Sequence, residues 1–89
     1  MIKKTATIVN KLGLHARPAA QLVSTASGFE SEVFYTKDDL RVNGKSIMGV
    51  MMLAAEKGTQ LIIEVDGPDQ EQAMGAVLNV IASGFGEEV

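Results

Sequence analysis

The alternation of hydrophobic and polar positions along the chain predicts four strands and three helices. Period-two alternation or a short apolar run between turn residues is typical of a strand, and it occurs at residues 5–9, Glu32–Lys37, Leu40–Asn43 and Gln60–Asp66. Apolar residues at helical spacing predict helices over residues 16–26 and 47–55. A last helix follows Asp69 and has an apolar face made of Met74, Val77, Leu78, Ile81 and Phe85. The predicted order is therefore β-α-β-β-α-β-α.

This order of short elements favours an α/β (α+β) fold with two layers. Its two crossover connections suit a four-stranded antiparallel sheet that carries the three helices on one face. A chain of 89 residues supports one hydrophobic core, so we expect residues 1–89 to form a single domain. The ferredoxin-like fold shares the β-α-β-β-α-β order, and a small-ligand regulatory domain is therefore an alternative.

Composition narrows the possible functions. The chain has no cysteine and one histidine, so we expect no metal site and no metal cofactor. Eight basic and eleven acidic residues give a net charge of −3, which is unlike the basic surface of a nucleic-acid binder. The N-terminus resembles no signal peptide, and no apolar stretch approaches the roughly 20 residues of a membrane span. We expect a cytoplasmic protein without membrane insertion.

The single histidine, His15, lies immediately before the first predicted helix. Histidine offers a neutral nitrogen nucleophile near neutral pH. The first N–H groups of a helix have no intrahelical acceptor, and the helix dipole adds partial positive charge at that end. Both features favour a phosphoryl group bound on His15, and the same field disfavours a charged imidazolium. The alternative from the residues alone is a surface histidine that precedes a helix by chance.

The residues after His15 strengthen the phosphoryl hypothesis. The backbone N–H groups of Ala16 and Arg17 stand at the helix start, and the Arg17 guanidinium can donate to two phosphoryl oxygens at once. Pro18 suits the first helical turn, where its missing N–H leaves no hydrogen bond unmade. The segment is thus suited to hold an anion beside the imidazole.

The second predicted helix begins with a possible modification site. Ser46 is a good N-cap residue, which explains its presence without any function. It also lies beside Lys45 and the helix amides, where a phosphate would be tolerated, and this favours a regulatory phosphosite. Ile47 and the methionines Met48, Met51 and Met52 cannot all point inward from so short a helix. We expect about half of them in the core and the others in an adaptable docking surface.

Two segments together resemble the histidine-containing phosphocarrier (HPr) family of the bacterial phosphoenolpyruvate-dependent phosphotransferase system. Gly13-Leu14-His15-Ala16-Arg17-Pro18-Ala19 is similar to its active-site motif, and Asn43-Gly44-Lys45-Ser46-Ile47-Met48-Gly49 is similar to its serine site. The resemblance covers essentially the whole chain. It implies an open-faced sandwich of four antiparallel strands and three helices.

The resemblance also implies residue roles and partners. His15 would accept a phosphoryl group on Nδ1 from enzyme I, which phosphoenolpyruvate charges, and would pass it to an enzyme II A component. Arg17 would stabilise the phosphoryl group. Ser46 would be the target of HPr kinase/phosphorylase, and the partner-binding residues would be Ala20, Ile47, Met48 and Met51. The protein would be a carrier and not an enzyme, without a cofactor, and we expect a monomer.

Two further functions stay open at this point. The ending Ala82-Ser83-Gly84-Phe85-Gly86-Glu87-Glu88 is somewhat similar to the nitrogen-related branch of the family, which regulates and does not feed sugar uptake. A different class would be an adaptor that docks on partners through the helix at Ser46 without transferring a group. The acidic pair Glu87 and Glu88 is interpreted as solvated charge, and so is Lys45.

Overall fold

The computed structural model describes all 89 residues and has the predicted order of elements. The elements are β1 (Ile2–Thr7), α1 (Ala16–Ser27), β2 (Glu32–Lys37), β3 (Leu40–Asn43), α2 (Ile47–Met52), β4 (Gln60–Asp66) and α3 (Gln70–Ala82), and a 3-10 turn at Gly84–Gly86 follows. The strands form one antiparallel sheet in the order β1-β4-β2-β3. The predicted α+β class and open-faced sandwich are confirmed. None of the helices combines the length and the apolar run that crossing a bilayer requires.

The inward face of the sheet and the helices enclose one continuous core. Alternate residues of the central strands point into it, as the period of a half-covered strand requires. The helices contribute at helical spacing, with Ala19, Leu22 and Ala26 from α1 and Val77 and Ile81 from α3. The opposite face of the sheet has no helix on it and carries Arg41, which lies over the Phe34 ring and pairs with Glu64 at 3.0 Å.

The first strand lies earlier than the sequence predicts. β1 pairs with β4 from Ile2 opposite Val65 to Thr7 opposite Gln60, whereas alternation predicted residues 5–9. The strand lies at the sheet edge, where charged side chains such as Lys3 are common because they discourage pairing with other chains. Lys3 and Lys4 interrupt the hydrophobic pattern, so the pattern predicts the start of the strand too late.

The second helix is shorter than residues 47–55. It ends at Met52 because Ala54 adopts a left-handed backbone conformation, with φ of 48°, and such a residue cannot continue a right-handed helix. The Lys37 ammonium donates to the Leu53 and Ala54 carbonyls at 3.1 and 3.3 Å. These hydrogen bonds satisfy carbonyl groups that the helix end leaves free.

The third helix is fixed to the start of β2 by the carboxylate of Asp69. This carboxylate accepts hydrogen bonds from the Ser31 hydroxyl, from the Ser31 N–H at 2.9 Å and from the Glu30 N–H at 3.0 Å. The hydrogen bonds, that of the Ser31 hydroxyl first, lower the pKa of Asp69 below its ordinary value. The backbone at Gly67 also packs closely against Ser31, since a Cβ on Gly67 would lie 2.6 Å from the Ser31 Cα.

We predict that Asp69→Asn lowers the free energy of unfolding at neutral pH and that the difference from the wild type shrinks in acid. A carboxyl whose folded pKa is lowered stabilises the fold above its unfolded value and loses that contribution as pH falls through the folded one. Urea denaturation of both proteins from pH 7 to pH 3 measures the difference. Asp66→Asn, at an exposed carboxylate 3.4 Å from the N-terminal ammonium, is the control. A loss that is constant across this pH range would contradict the assignment.

Candidate functional site

His15 occupies the N-cap position of α1, immediately before the first helical residue. Its backbone is extended, with φ of −73° and ψ of −174°, and the helix begins with the hydrogen bond from the Ala19 N–H to the His15 carbonyl at 3.0 Å. The amides of Ala16 and Arg17 precede any intrahelical acceptor, and Pro18 has no N–H. The imidazole is 40% exposed and does not cap the helix itself. The ring therefore lies at the surface at the start of the helix.

The loop before His15 is fixed by hydrogen bonds on both sides. The side chain of Asn10 is fully buried, and its Nδ2 donates to the Gly13 carbonyl at 2.8 Å. The Leu14 N–H donates to the Ala55 carbonyl at 2.8 Å. Gly13 has φ of 70°, and a Cβ there would lie 2.5 Å from that same carbonyl oxygen. Glycine at this position thus lets the loop approach the residues that follow α2.

The imidazole contacts a carboxylate that sequence reasoning did not include in the site. Nε2 of His15 lies 2.9 Å from Oε1 of Glu87, and the same oxygen accepts a hydrogen bond from Asn10 Nδ2 at 3.1 Å. The contact with His15 is the largest cause that lowers the pKa of Glu87 below its ordinary value, and the charge of Arg17 also contributes. The interpretation of Glu87 as solvated charge is wrong, since its side chain is only 17% exposed.

The segment that places Glu87 also departs from the predicted helix. Phe85 was predicted on the apolar face of the last helix, but it lies in the 3-10 turn with φ of 58°, 4% exposed. Glycines on both sides have positive φ, so the chain leaves the helix direction and returns toward the His15 loop. The Lys11 N–H then donates to the Glu88 carbonyl at 2.8 Å. The glycines around Phe85 were the only local signal of this turn.

The guanidinium of Arg17 is exposed and makes no ion pair. Its charge acts on Glu87, which contacts the imidazole, so Arg17 belongs to the same surface. None of the four surface pockets includes His15 or Arg17. The two side chains therefore lie on an open surface and not in an enclosed cavity.

Ser46 is the N-cap of α2, and its Oγ accepts a hydrogen bond from the Gly49 N–H at 3.1 Å. The lysine beside it is not solvated as predicted. Lys45 is partly buried, and its ammonium donates to the Phe29 carbonyl at 2.7 Å. That ammonium is therefore already used in holding the loop after α1.

The apolar side chains of α2 are more exposed than the sequence predicts. Only Val50 is buried, whereas Ile47 and Met51 are about two-fifths exposed and Met48 and Met52 are about two-thirds or more exposed. The expectation that half of the methionines lie in the core is wrong, because one turn and a half of helix presents a single narrow face inward. Ala20 is exposed on α1, which packs beside α2. We call the predicted partner-binding residues, Ala20, Ile47, Met48 and Met51, the docking surface.

Comparison with known proteins agrees with this geometry. Residues 2–83 match the family described as "PTS HPr component phosphorylation site". The phosphocarrier protein HPr of Neisseria meningitidis is 56% identical over 87 residues, which are 98% of each chain. The phosphocarrier protein NPr of Escherichia coli is 40% identical over 88 residues, again 98% of each chain.

A solved structure gives the same result for the fold. HPr-C-His from Thermoanaerobacter tengcongensis superposes with a TM-score of 0.95 at 47% identity, with all of both chains covered. HPr of that organism has also been solved as a dimer, which superposes at 0.79 over 98% of this chain and 100% of that one. A ferredoxin-like small-ligand domain is not supported. The chain belongs to the HPr phosphocarrier family of the phosphotransferase system.

Proposed function

We propose that this phosphocarrier accepts a phosphoryl group on Nδ1 of His15 from enzyme I, charged by phosphoenolpyruvate, and passes it to an enzyme II A component in sugar uptake. One observation carries the assignment to His15. The ring lies exposed at the start of α1, its Nε2 is engaged by Glu87, and Nδ1 makes no hydrogen bond. The free nitrogen is thus the one available to a partner.

The acceptance step requires a nucleophile and a place for the phosphoryl charge. The lone pair of Nδ1 forms the new N–P bond, while the bond from phosphorus to the donor atom breaks and its electron pair stays with the donor. The amides of Ala16 and Arg17 supply donors for the phosphoryl oxygens, and the field of α1 favours negative charge there. The Arg17 guanidinium is free to add two further hydrogen bonds.

The donation step is the reverse displacement on an acceptor protein. A carrier must not hold the phosphoryl group too tightly, and the surface position of His15 leaves the group reachable from solvent. Enzyme I and the enzyme II A component would use the same docking surface in turn. Flexible methionine side chains fit this use because they adapt to differently shaped partners.

Phosphorylation of Ser46 by HPr kinase/phosphorylase would regulate this exchange. A phosphate adds a charge of about −1.5 to −2 next to the docking surface. The ammonium of the neighbouring Lys45 is held by the Phe29 carbonyl and is not a freely mobile counter-charge. The added charge would therefore weaken the docking of anionic partners.

A second candidate is a nitrogen-type regulatory carrier. The 40% identity with NPr and the glycine-rich ending that places Glu87 favour it, whereas the higher identity with HPr favours sugar uptake. The rates at which the phosphorylated protein passes its group to a sugar-type and to a nitrogen-type acceptor distinguish these two functions. We also propose a cytoplasmic location. We further propose a monomer, because one chain supplies every residue of the site, and sedimentation with and without the phosphoryl group tests this.

We predict that His15→Ala abolishes phosphorylation by enzyme I and phosphoenolpyruvate. The wild type gains one acid-labile phosphoryl group, which mass spectrometry detects as one added phosphate. Arg17→Lys keeps the charge but loses the planar pair of donors, so its acceptance rate falls by about tenfold. An adaptor that transfers nothing would leave the wild type unmodified, and a His15→Ala protein that still gained the group would contradict the assignment.

We predict that Ser46→Asp slows acceptance from enzyme I by about tenfold, as a like charge near an anionic partner costs on the order of 1.4 kcal/mol. Ser46→Asn is the matched control, because asparagine caps the helix equally well without charge. Both variants should unfold within about 0.5 kcal/mol of the wild type. Equal rates for the aspartate and asparagine variants would exclude a charge effect at this position.

We predict that Met48→Ala raises the KM for enzyme I several-fold without loss of stability. Met48 is 74% exposed, so its removal leaves no cavity, while a partner loses apolar contact. Steady-state phosphorylation gives KM, and thermal unfolding gives stability. Ile62→Ala, on the uncovered face of the sheet, is the control. The docking surface would be wrongly placed if both variants changed KM equally.

A further inference from the structure

We propose that the C-terminal segment, residues 84–89, is a working part of the phosphoryl-acceptor site and that Glu87 is its positioning residue. Glu87 holds the proton of the neutral imidazole on Nε2 and so presents the lone pair of Nδ1. The inference deepens the proposed function and rests on it for the transfer step. The tautomer of the imidazole follows from the contact between His15 and Glu87 and does not depend on the transfer step.

The geometry is a chain of two hydrogen bonds that meet at one oxygen. Oε1 of Glu87 lies 2.9 Å from Nε2 of His15 and 3.1 Å from Nδ2 of Asn10. Asn10 is fully buried, and the same Nδ2 donates to the Gly13 carbonyl. The carboxylate is therefore fixed by a rigid group of the loop that carries His15, and it is not a freely moving surface charge.

A carboxylate in this position selects one form of the ring. A neutral imidazole has one N–H, and an ionised carboxylate can only accept. The pKa of Glu87 is lowered, chiefly by the His15 contact, so the carboxylate stays ionised at neutral pH. In the neutral ring, this hydrogen bond requires the proton on Nε2, which leaves Nδ1 unprotonated. The other ring nitrogen, Nδ1, makes no hydrogen bond to the protein.

The same contact serves the transfer in both directions. When Nδ1 forms the N–P bond, the ring becomes positively charged and keeps its proton on Nε2, and the Glu87 carboxylate stabilises that charge. When the acceptor takes the phosphoryl group, the N–P electron pair returns to Nδ1 and the starting tautomer is restored. No proton has to enter or leave the ring in either step. Such symmetry suits a carrier that must both accept and donate.

The rest of the segment fixes the position of Glu87. Buried Phe85 anchors the turn in the core, and the Lys11 N–H donates to the Glu88 carbonyl on the other side of Glu87. The backbone is thus held before and after the carboxylate. Loops that hold a reacting group in place reduce the reorganisation that accompanies the reaction.

Three variants test the inference. Glu87→Ala removes the contact, Glu87→Gln keeps an acceptor oxygen without the charge, and Glu88→Gln is the control at an exposed carboxylate 3.8 Å from Lys11. The first readout is the nitrogen NMR spectrum of the His15 ring, which reports how the neutral form divides between Nε2–H and Nδ1–H. The second is the rate of phosphorylation by enzyme I with phosphoenolpyruvate, together with the rate of transfer to an enzyme II A component.

We expect Glu87→Ala to increase the Nδ1–H share several-fold and to slow both transfers by about tenfold, the effect of one charge-assisted hydrogen bond. Glu87→Gln should keep the tautomer and slow the transfers less, and Glu88→Gln should stay within about twofold of the wild type. An unchanged ring spectrum in Glu87→Ala, or unchanged transfer rates, would overturn the inference. If the wild type itself gained no phosphoryl group, the proposed function would fail, and the ring spectrum would still decide whether Glu87 positions His15.

Discussion

The buried side chain of Asn10 is the contact on which the geometry of the site depends. Its Nδ2 joins the Gly13 carbonyl, within the loop that carries His15, to the Glu87 carboxylate, 77 residues further along the chain. A buried amide that lacked these partners would be costly, so the fold favours the arrangement in which loop and C-terminal segment meet. The two hydrogen bonds of the buried Asn10 Nδ2 thus hold the carboxylate that contacts the imidazole.

The local parts of this arrangement could be predicted from the sequence, whereas the long-range parts could not. The position of His15 before α1, the cap at Ser46 and the element order follow from spacing and propensity within short windows. The contact between His15 and Glu87 depends on how β1 and α3 pack, which no short window contains. The sequence alone therefore leads to the interpretation of Glu87 as a solvated charge, which is the usual role of an isolated acidic pair.

The errors in the predicted elements have a common physical origin. Three residues adopt a position or conformation that local sequence preferences disfavour and that tertiary packing stabilises. They are Lys3 in the edge strand, Ala54 after α2 and Phe85 after α3. The edge strand tolerates lysine because it faces solvent. The left-handed residues Ala54 and Phe85 are held by the packing around them, at a cost of about 1–2 kcal/mol each that neighbouring contacts offset. The left-handed residues Ala54 and Phe85 both turn the chain toward the His15 loop.

The proposed docking surface and the proposed phosphoryl site both require side chains to stay exposed that a simpler protein would bury. A protein that only needed to fold would bury more of α2 than Val50, since exposed apolar side chains forgo the gain from burial. A protein that only needed to bind a phosphoryl group would enclose His15 in a pocket of donors. The structure does neither, and both departures fit a carrier. In the proposed function, the exposed methionines would allow successive partners to dock, and the exposed imidazole held by Glu87 would allow the group to leave as readily as it arrives.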